Sequence, residues 1–409
     1  MMEKIYYGWW NVFFSFVLGF FVCGVISFGF TAFFEPLAKE FGWSYTQISF
    51  ASSLRGLEMG IFAPLIGFLA DRFGSRRLIF LGIITSGFGL ILLAVTKSLA
   101  VYYISFLLLA FGTGGCMGLL LVTTAAKWFD KDVGKAIGIV AVSFGLGGLN
   151  VPLIVRLIDT FQWRTALTIL GVGIWILGIP LALLMRDNPE RYGYVPARKS
   201  LPGLGPPPEA KDTGRQIPFK EALKQKAFFY LMVAELVRHL VISAVMLHVM
   251  PYLGSVGIPR STAGMIAGSL PVISVVGRIT FGWLGDIFEK RYTMASALGL
   301  IGIGMLAYAL FPHGGFIILF AVPFAAGWGG GMVTARAVLR EYFGTEYFGK
   351  MLGIIMGFSS IGGIVGPTSA GWVFDHFGSY RLIWLVLFGL SLLATWLTLK
   401  MKPIARENG

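Results

Sequence analysis

Arg278 sits inside an apolar run. The stretch from Ser274 reads SVVGRITFGWLGDIFEKR, and its apolar part ends eight residues past the arginine, at Asp286, with Lys290 and Arg291 beyond. Eight helical residues rise about 12 Å. With Asp286 at the edge of a hydrocarbon layer roughly 30 Å thick, Arg278 lies near mid-depth. A guanidinium there costs at least ~2.5 kcal/mol and keeps its proton, so it needs a wet cavity or an acceptor. Such a cation either grips an anionic ligand or is held by a carboxylate or carbonyls for packing alone.

Other charges share this environment. Glu235 and Arg238 stand three apart, beside His239, a spacing that places them on one helical face. Arg238 is also near mid-depth and rivals Arg278 for an anion. Arg55 and Glu58 repeat the spacing, with Arg55 sixteen residues before Asp71. They either pair with each other or form a gate. Arg336 and Arg340 lie toward the end of their run, where they snorkel, or where Arg336 lines an inner mouth. His248 precedes Pro251 and is either a proton-exchanging group or a histidine bonded to carbonyls at a helix end. No phosphate loop, metal-ligand cluster or nucleophile arrangement occurs, so the residues support neither an enzyme nor a cofactor.

The elements carrying these residues follow from composition. Of 409 residues, 56% are hydrophobic and 13% charged, too apolar for a soluble domain of this size. Twelve apolar runs have the length of a spanning helix: 9–37, 47–71, 78–96, 100–126, 134–160, 164–186, 227–254, 261–286, 292–311, 314–339, 349–375 and 380–401. Alternating strands of a barrel are absent from the pattern. Cys23 and Cys116 lie within these runs and give no disulfide framework. The first run is too long for a cleaved signal and reads as span 1, with Tyr6, Tyr7, Trp9 and Trp10 as an interfacial belt.

The net charge of +13 would suit nucleic acid, but its placement excludes that partner. If the spans alternate, Lys4, Arg72, Arg76, Arg77, Lys127, Lys131, Lys135, Lys290, Arg291, Lys350, Lys400 and Lys402 share one side. A linker over 187–226 adds eight more cations there, while the opposite side has little beyond Lys39, Lys97, Arg164, Arg260 and Arg381. This bias predicts a multi-pass protein of the plasma (inner) membrane with both termini cytoplasmic.

The chain repeats itself. Gly67-Phe-Leu-Ala-Asp71 corresponds to Gly282-Trp-Leu-Gly-Asp286 at an offset of 282 − 67 = 215. The same offset pairs Pro36 with Pro251, Gly42 with Gly257, Arg76 with Arg291, Lys135 with Lys350 and Pro152 with Pro367. The expected architecture is therefore all-α: six spans over 1–186, the linker 187–226, and six spans over 227–409. Six is even, so the halves are parallel repeats about an axis along the membrane normal, a plan that places a site near mid-depth and works by rocking. Prolines 202 and 206–208 make the linker's centre extended, and 218–226 reads as a short surface helix with Phe219 and Leu223 on one face. Glycines 138, 145, 147, 148, 353, 357, 362 and 363 predict close helix approach.

At this point a resemblance enters. Gly67-x-x-x-Asp71-Arg72-x-Gly74-x-Arg76-Arg77 is similar to the loop motif between spans 2 and 3 of the major facilitator superfamily, with a degenerate copy at Asp286. The resemblance implies a gating role for this motif, away from substrate. Tyr6-Tyr-Gly-Trp-Trp10, the Trp128-Phe129 to Gly138 stretch, and Arg278-x-x-x-Gly282 resemble the monocarboxylate transporter branch and its neighbours, the oxalate–formate exchangers. That likeness implies a substrate-binding role for Arg278. Two positions depart from the animal pattern: Ser274 stands where an aspartate is expected, and Ala32 falls near an expected lysine. By position and analogy, Asn150, Ser274, Phe28, Trp328 and Phe358 join Arg278 in lining the cavity.

The expected function is transport of a small carboxylate, of lactate or pyruvate type, in symport with a proton by alternating access, with His248 and Arg278 as coupling residues. An organic-anion exchanger, a drug-efflux carrier and a non-transporting membrane sensor are the rival readings. Membrane lipid is the surrounding partner.

Overall fold

The computed structural model describes residues 6–54, 63–116, 118–129, 132–187, 189–193, 219–311 and 314–402. Among these residues the ordered elements are helices. Most of the linker, and with it the proline stretch, lies outside the described residues, as do Arg55 and Glu58.

Among the described residues, nine helical stretches are long and apolar enough to cross a membrane. One of them, Val133–Leu184, runs 52 residues and contains two expected spans joined at Gln162. The two remaining spans are each seen in two pieces. Span 2 is α3 (Tyr45–Leu54) and α4 (Ala63–Phe73), and span 4 is α6 (Leu99–Cys116) and α7 (Leu119–Ala126). The twelve expected spans are thereby accounted for. Many large apolar side chains point outward, including Leu153 (65% exposed) and Ile279 (67%), as a lipid-facing surface requires.

Span 1 is not one regular helix. It begins as α1 (Tyr7–Val22), passes through a π turn at Cys23–Phe28 and a 3-10 turn at Gly29–Phe33, and ends as α2 (Phe34–Phe41). The chain continues as α5 (Ser75–Ala94) after span 2, and as α8 (Val133–Leu146) and α9 (Asn150–Leu184) after span 4. The second half is more regular. It comprises the short α10 (Phe219–Lys224), then α11 (Lys226–Ser255), α12 (Arg260–Ile287), α13 (Lys290–Leu310), α14 (Ile317–Phe343), α15 (Phe348–Phe377) and α16 (Arg381–Lys400). In α10, Phe219 meets the Tyr347 ring at 5.8 Å, while Leu223 is exposed.

The repeat is visible in the backbone. Gly42 (φ 65°) and Gly257 (φ 82°) end corresponding helices in the left-handed region. After the paired prolines the offset grows by one: Gln162 (φ 64°, ψ 159°) stands at the position of Gly378 (φ 62°, ψ 11°), 378 − 162 = 216, with the same positive φ and a different ψ. Gln162 is the sole described residue other than glycine with positive φ.

Contacts divide the chain into two compact units. The first holds residues 1–43, 54–207 and 260–271; the second holds 44–53, 208–259 and 272–409. They follow the two sequence halves except that α3 belongs to the second unit and the start of α12 to the first. In the first unit, a Cβ on Gly148 would strike the Gly268 carbonyl and lie 3.1 Å from Pro271 Cγ. In the second, Gly362 and Gly366 of α15 meet the Leu236 and Leu240 backbone of α11. The expectation of close approach fails at Gly138, Gly353, Gly357 and Gly363, where an added Cβ would meet nothing within 4 Å. Those positions face away from neighbouring helices, which spacing alone does not reveal.

Candidate functional site

The interior charges of the second unit lie on three helices. Apolar residues surround Glu235 and Arg238 along α11, so the two polar groups share one turn and satisfy each other. Arg238 Nε donates to Glu235 Oε1 and its NH2 to Oε2, both at 2.7 Å. The pair is nearly sealed, with Arg238 5% and Glu235 7% exposed. Gly331 of α14 makes room for it, since a Cβ there would lie 2.7 Å from Arg238 Cδ. Arg336, one turn and a half further along α14, is exposed and acts electrostatically on Glu235, Arg238 and His239. His239 Nδ1 is 3.0 Å from the Glu235 carbonyl oxygen. A carbonyl only accepts, so Nδ1 carries the hydrogen there.

Arg278 is half-buried on α12 and Ser274, one turn earlier, is fully buried. A Cβ on Gly329 of α14 would overlap the Ser274 carbonyl and lie 2.9 Å from the Arg278 backbone nitrogen. Gly329 and Gly331 point about 200° apart on a helix. So α14 packs against the Arg278 backbone with one face and against the Arg238 stem with nearly the opposite one. Trp328 and Phe358 are half-buried on α14 and α15.

Asn150 and Phe28 belong to the first unit. Asn150 Nδ2 donates to the Phe20 carbonyl at 3.2 Å and the Gly147 carbonyl at 3.1 Å, tying α9 to span 1 beside its π turn. Phe28 closes that turn and is 9% exposed.

The loop motif is also in the first unit. Gly67 and Asp71 lie on α4, and the Asp71 side chain is outside the described residues. Arg72 is exposed, 5.5 Å from the Phe73 ring centre. Gly74 turns the chain at φ 86°. Past it the Arg76 N–H donates to the Asp187 carboxylate, and the Arg76 guanidinium to the Leu183 carbonyl. Arg72, Arg76, Arg77, Lys127, Asp187 and Tyr192 line a cavity of about 540 Å³. Asp286 is exposed at the end of α12.

His248 is fully buried in a polar seam where α3 docks on the second unit. Its Nε2 lies 2.9 Å from the Pro367 carbonyl and 2.9 Å from Ser49 Oγ, and its Nδ1 lies 2.9 Å from the Tyr380 hydroxyl. The carbonyl fixes the hydrogen on Nε2 in the neutral ring, leaving Nδ1 to accept from Tyr380. Further along the seam Ser53 Oγ donates to the Ile364 carbonyl at 2.6 Å. At its start the Asp375 carboxylate accepts from the backbone N–H of Tyr45 (2.9 Å) and of Thr46 (2.8 Å), and from the Thr46 hydroxyl (2.5 Å). The first unit has a counterpart. Asp159 pairs with Arg260 at 2.9 Å, and Arg260 NH2 donates to the Ala32 carbonyl at 2.7 Å. The two aspartates match at 375 − 159 = 216, and Arg260 matches Tyr45 at 260 − 45 = 215. Each aspartate fastens the first residues of a helix that comes from the other sequence half. Neither aspartate stood out in the sequence, though the shifted register would have paired them.

These features invite comparison with known proteins. The Major Facilitator Superfamily profile matches twice, over residues 16–259 and 240–408. The chain belongs to that superfamily. Among curated relatives, Monocarboxylate transporter 12 of Rattus norvegicus is 27% identical over 406 residues, covering 92% of this chain and 81% of its own. Monocarboxylate transporter 4 of Rattus norvegicus is 24% identical, covering 96% and 82%. An uncharacterized MFS-type transporter, YcxA of Bacillus subtilis, is 24% identical over 98% and 97% of the two chains. The crystal structure of a bacterial homologue of the human lysosomal transporter Spinster, inward-facing and unoccupied, matches with a TM-score of 0.76. It is 18% identical and covers 98% of this chain, so that likeness is one of fold alone. This Major Facilitator Superfamily member is a multi-pass membrane transporter and not an enzyme.

Proposed function

We propose that this superfamily member carries a small monocarboxylate of lactate or pyruvate type, together with a proton, across the plasma (inner) membrane by alternating access. The observation behind the reading is a cation surplus. Glu235, Arg238, Arg278 and Arg336 are the charged groups away from the helix ends of α11, α12 and α14, three cations against one carboxylate. A cargo with one negative charge offsets part of that surplus, whereas a lipophilic cation would add to it. Relatives named monocarboxylate transporters fit the same cargo class. In this reading Arg278 grips the carboxylate, and Ser274, Asn150, Phe28, Trp328 and Phe358 line its cavity. The Gly67–Arg77 motif with Asp286 serves gating, and the basic side with both termini faces the cytoplasm.

The test is transport. Purified protein is first screened for thermal stabilisation by small carboxylates, since a ligand stabilises the state it binds. Ligands that stabilise are then offered as labelled cargo to proteoliposomes, with and without an inwardly directed pH gradient. Gradient-driven accumulation of a monocarboxylate is the expected result. Failure of every small carboxylate to bind or cross overturns the proposal.

A further inference from the structure

The geometry points to a lipid site: the cavity at the α4–α5 turn of the first unit holds the phosphate of an anionic phospholipid. Such a ligand is a component of the membrane and not cargo. The cavity measures about 540 Å³, within the range of roughly 300–1,000 Å³ common to small-molecule sites. Its described lining carries four cations, Arg72, Arg76, Arg77 and Lys127, against one carboxylate, Asp187. Asp187 is engaged by the Arg76 N–H at the start of α5, and the Arg76 guanidinium by the Leu183 carbonyl. Arg72, Arg77 and Lys127 are exposed and form no ion pair among the described residues. They come from the last turn of α4, the first turn of α5 and the end of α7, so the fold gathers three like charges that repel one another.

The second unit shows the same corner with its charges satisfied within the chain. Arg291, the counterpart of Arg76, pairs with Glu289 at 2.7 Å and donates to the Met401 carbonyl at 2.9 Å, and Lys290 pairs with Glu341 at 2.6 Å. At the offset of 215, Arg72 corresponds to Ile287, Arg77 to Tyr292 and Lys127 to Tyr342. The three cations are thus an addition of the first half, and the repeat frame stands without them. A phosphate presents oxygens to several such donors at once. The source of the phosphate follows from depth. Arg72 and Arg77 stand at helix ends, where the apolar layer stops. Phe68 lies four residues before Arg72 and Leu81 four residues after Arg77, each on the same helical face one turn deeper. Both are exposed, at 64% and 44%. An anionic head with apolar tails matches this succession, whereas a soluble phosphate leaves the apolar faces unused. Basic pockets between spanning helices are general sites for such headgroups. The bound headgroup offsets the repulsion among the cations and ties the ends of spans 2, 3 and 4 to one anion.

The test uses the full chain in a neutral detergent, with thermal stability as the readout. The probe is phosphatidylglycerol, compared with phosphatidylcholine of the same acyl chains and with soluble glycerol phosphate. Phosphatidylglycerol should give a saturable rise in the parent that the other two do not approach. Arg77→Gln combined with Lys127→Gln should weaken that affinity about thirtyfold, at about fivefold for each cation lost. Both side chains are exposed, so the fold should survive, and a cooperative melt without lipid checks it. Should the pair fold poorly, Lys127→Gln by itself should still lose about fivefold. Lys350→Gln combined with Lys400→Gln removes the same charge outside the cavity lining and should bind as the parent does. Equal stabilisation by phosphatidylcholine, or an equal loss in the two double variants, overturns the proposal, since binding then reflects bulk lipid or overall charge. Parent-like affinity in the cavity variants overturns it too. Stabilisation by glycerol phosphate as strong as by the lipid assigns the cavity to a soluble phosphate and overturns the lipid source.

Discussion

The two units share a frame and differ in charge. At the position of Glu235 the first half has Phe20 (235 − 215 = 20), at Arg238 it has Cys23, at Arg278 Ala63, at Arg336 Leu121 and at His248 Phe33. Where α11 runs unbroken and buries an ion pair, span 1 changes its winding: the π turn begins at Cys23, the counterpart of Arg238. One copy of the repeat deforms its backbone and the other invests the same place with charge. Prolines, turn glycines and the paired aspartates are kept in both copies because they shape and fasten helices. The counterparts of Arg238, Arg278 and Arg336 in the first half carry no charge.

The sharpest way to break this comparison is to strip the second unit of half its pair. Arg238→Ala leaves the Glu235 carboxylate buried without its partner, which costs about 3–5 kcal/mol. The expected outcome is a large fall in thermal stability in detergent, or failure to fold. Replacing both residues by leucine, closer to the apolar first half, should restore most of the stability, because no unpaired charge remains, and should abolish transport. If Arg238→Ala is as stable as the parent, the pair does not have the buried character that sets the units apart.

Next in size is Arg278, whose counterpart is Ala63. Arg278→Ala makes the second unit resemble the first there. Each charge-assisted bond to a carboxylate contributes about 1.5–3 kcal/mol, so carboxylate affinity should fall ten- to a hundredfold or more. Arg278→Lys keeps the charge without the planar fork and should recover only part of it. Titration with a stabilising carboxylate decides the matter. Parent-like affinity in Arg278→Ala would shift the grip to Arg336 or Arg238.

How much of this was legible beforehand depends on the range of each interaction. The spans, the repeat and the superfamily motif all follow from local runs and one fixed offset. The Glu235–Arg238 bond was legible because a spacing of three sets the two side chains on one face. The spacing could not say that this pair seals while Arg336 stays open, for that depends on Gly331 of another helix. Asp375 and Asp187 were hidden for a different reason. Charged residues at helix ends are ordinary, and their partners lie 330 and 111 residues away in sequence. For His248 the sequence left a proton-exchanging group and a carbonyl-bonded histidine both open, and it did not show the seam of Ser49, Pro367 and Tyr380 in which the ring sits.

A smaller effect concerns the paired turns at Gln162 and Gly378. Gln162, at φ 64° and ψ 159°, occupies a region suited to glycine, at a cost of order 1–3 kcal/mol. Gly378 shares the positive φ but has ψ 11°, the ordinary left-handed region, and carries no side chain. Gln162→Gly should raise thermal stability by about 1 kcal/mol once glycine's extra unfolded-state freedom is subtracted. A loss of stability would mean that the glutamine side chain holds the turn.

The smallest effects separate the two aspartate fastenings. Asp375 binds backbone N–H groups at the start of α3, so it acts as a helix cap, and its geometry is set by the peptide chain. Asp159 meets the Arg260 side chain, with 47% and 27% of the two side chains exposed, so it behaves as a surface ion pair. Loss of a cap costs about 0.5–2 kcal/mol, whereas an exposed pair contributes about 0–1 kcal/mol and weakens with salt. The contrast is measurable as opening. In a background lacking Cys23 and Cys116, a cysteine at buried Ser53 reports release of α3, and one at buried Val155, beside Gly264, reports release of the α12 start. Asp375→Ala should raise labelling at position 53 about two- to thirtyfold, with little dependence on salt. Asp159→Ala should raise labelling at 155 by no more than about fivefold. In 1 M salt, where the screening length shrinks to about 3 Å, the parent should approach that variant at position 155 while position 53 stays protected. Equal salt sensitivity at both sites would show that the two fastenings are one kind of bond, and the asymmetry of the units would then be confined to their interior charges.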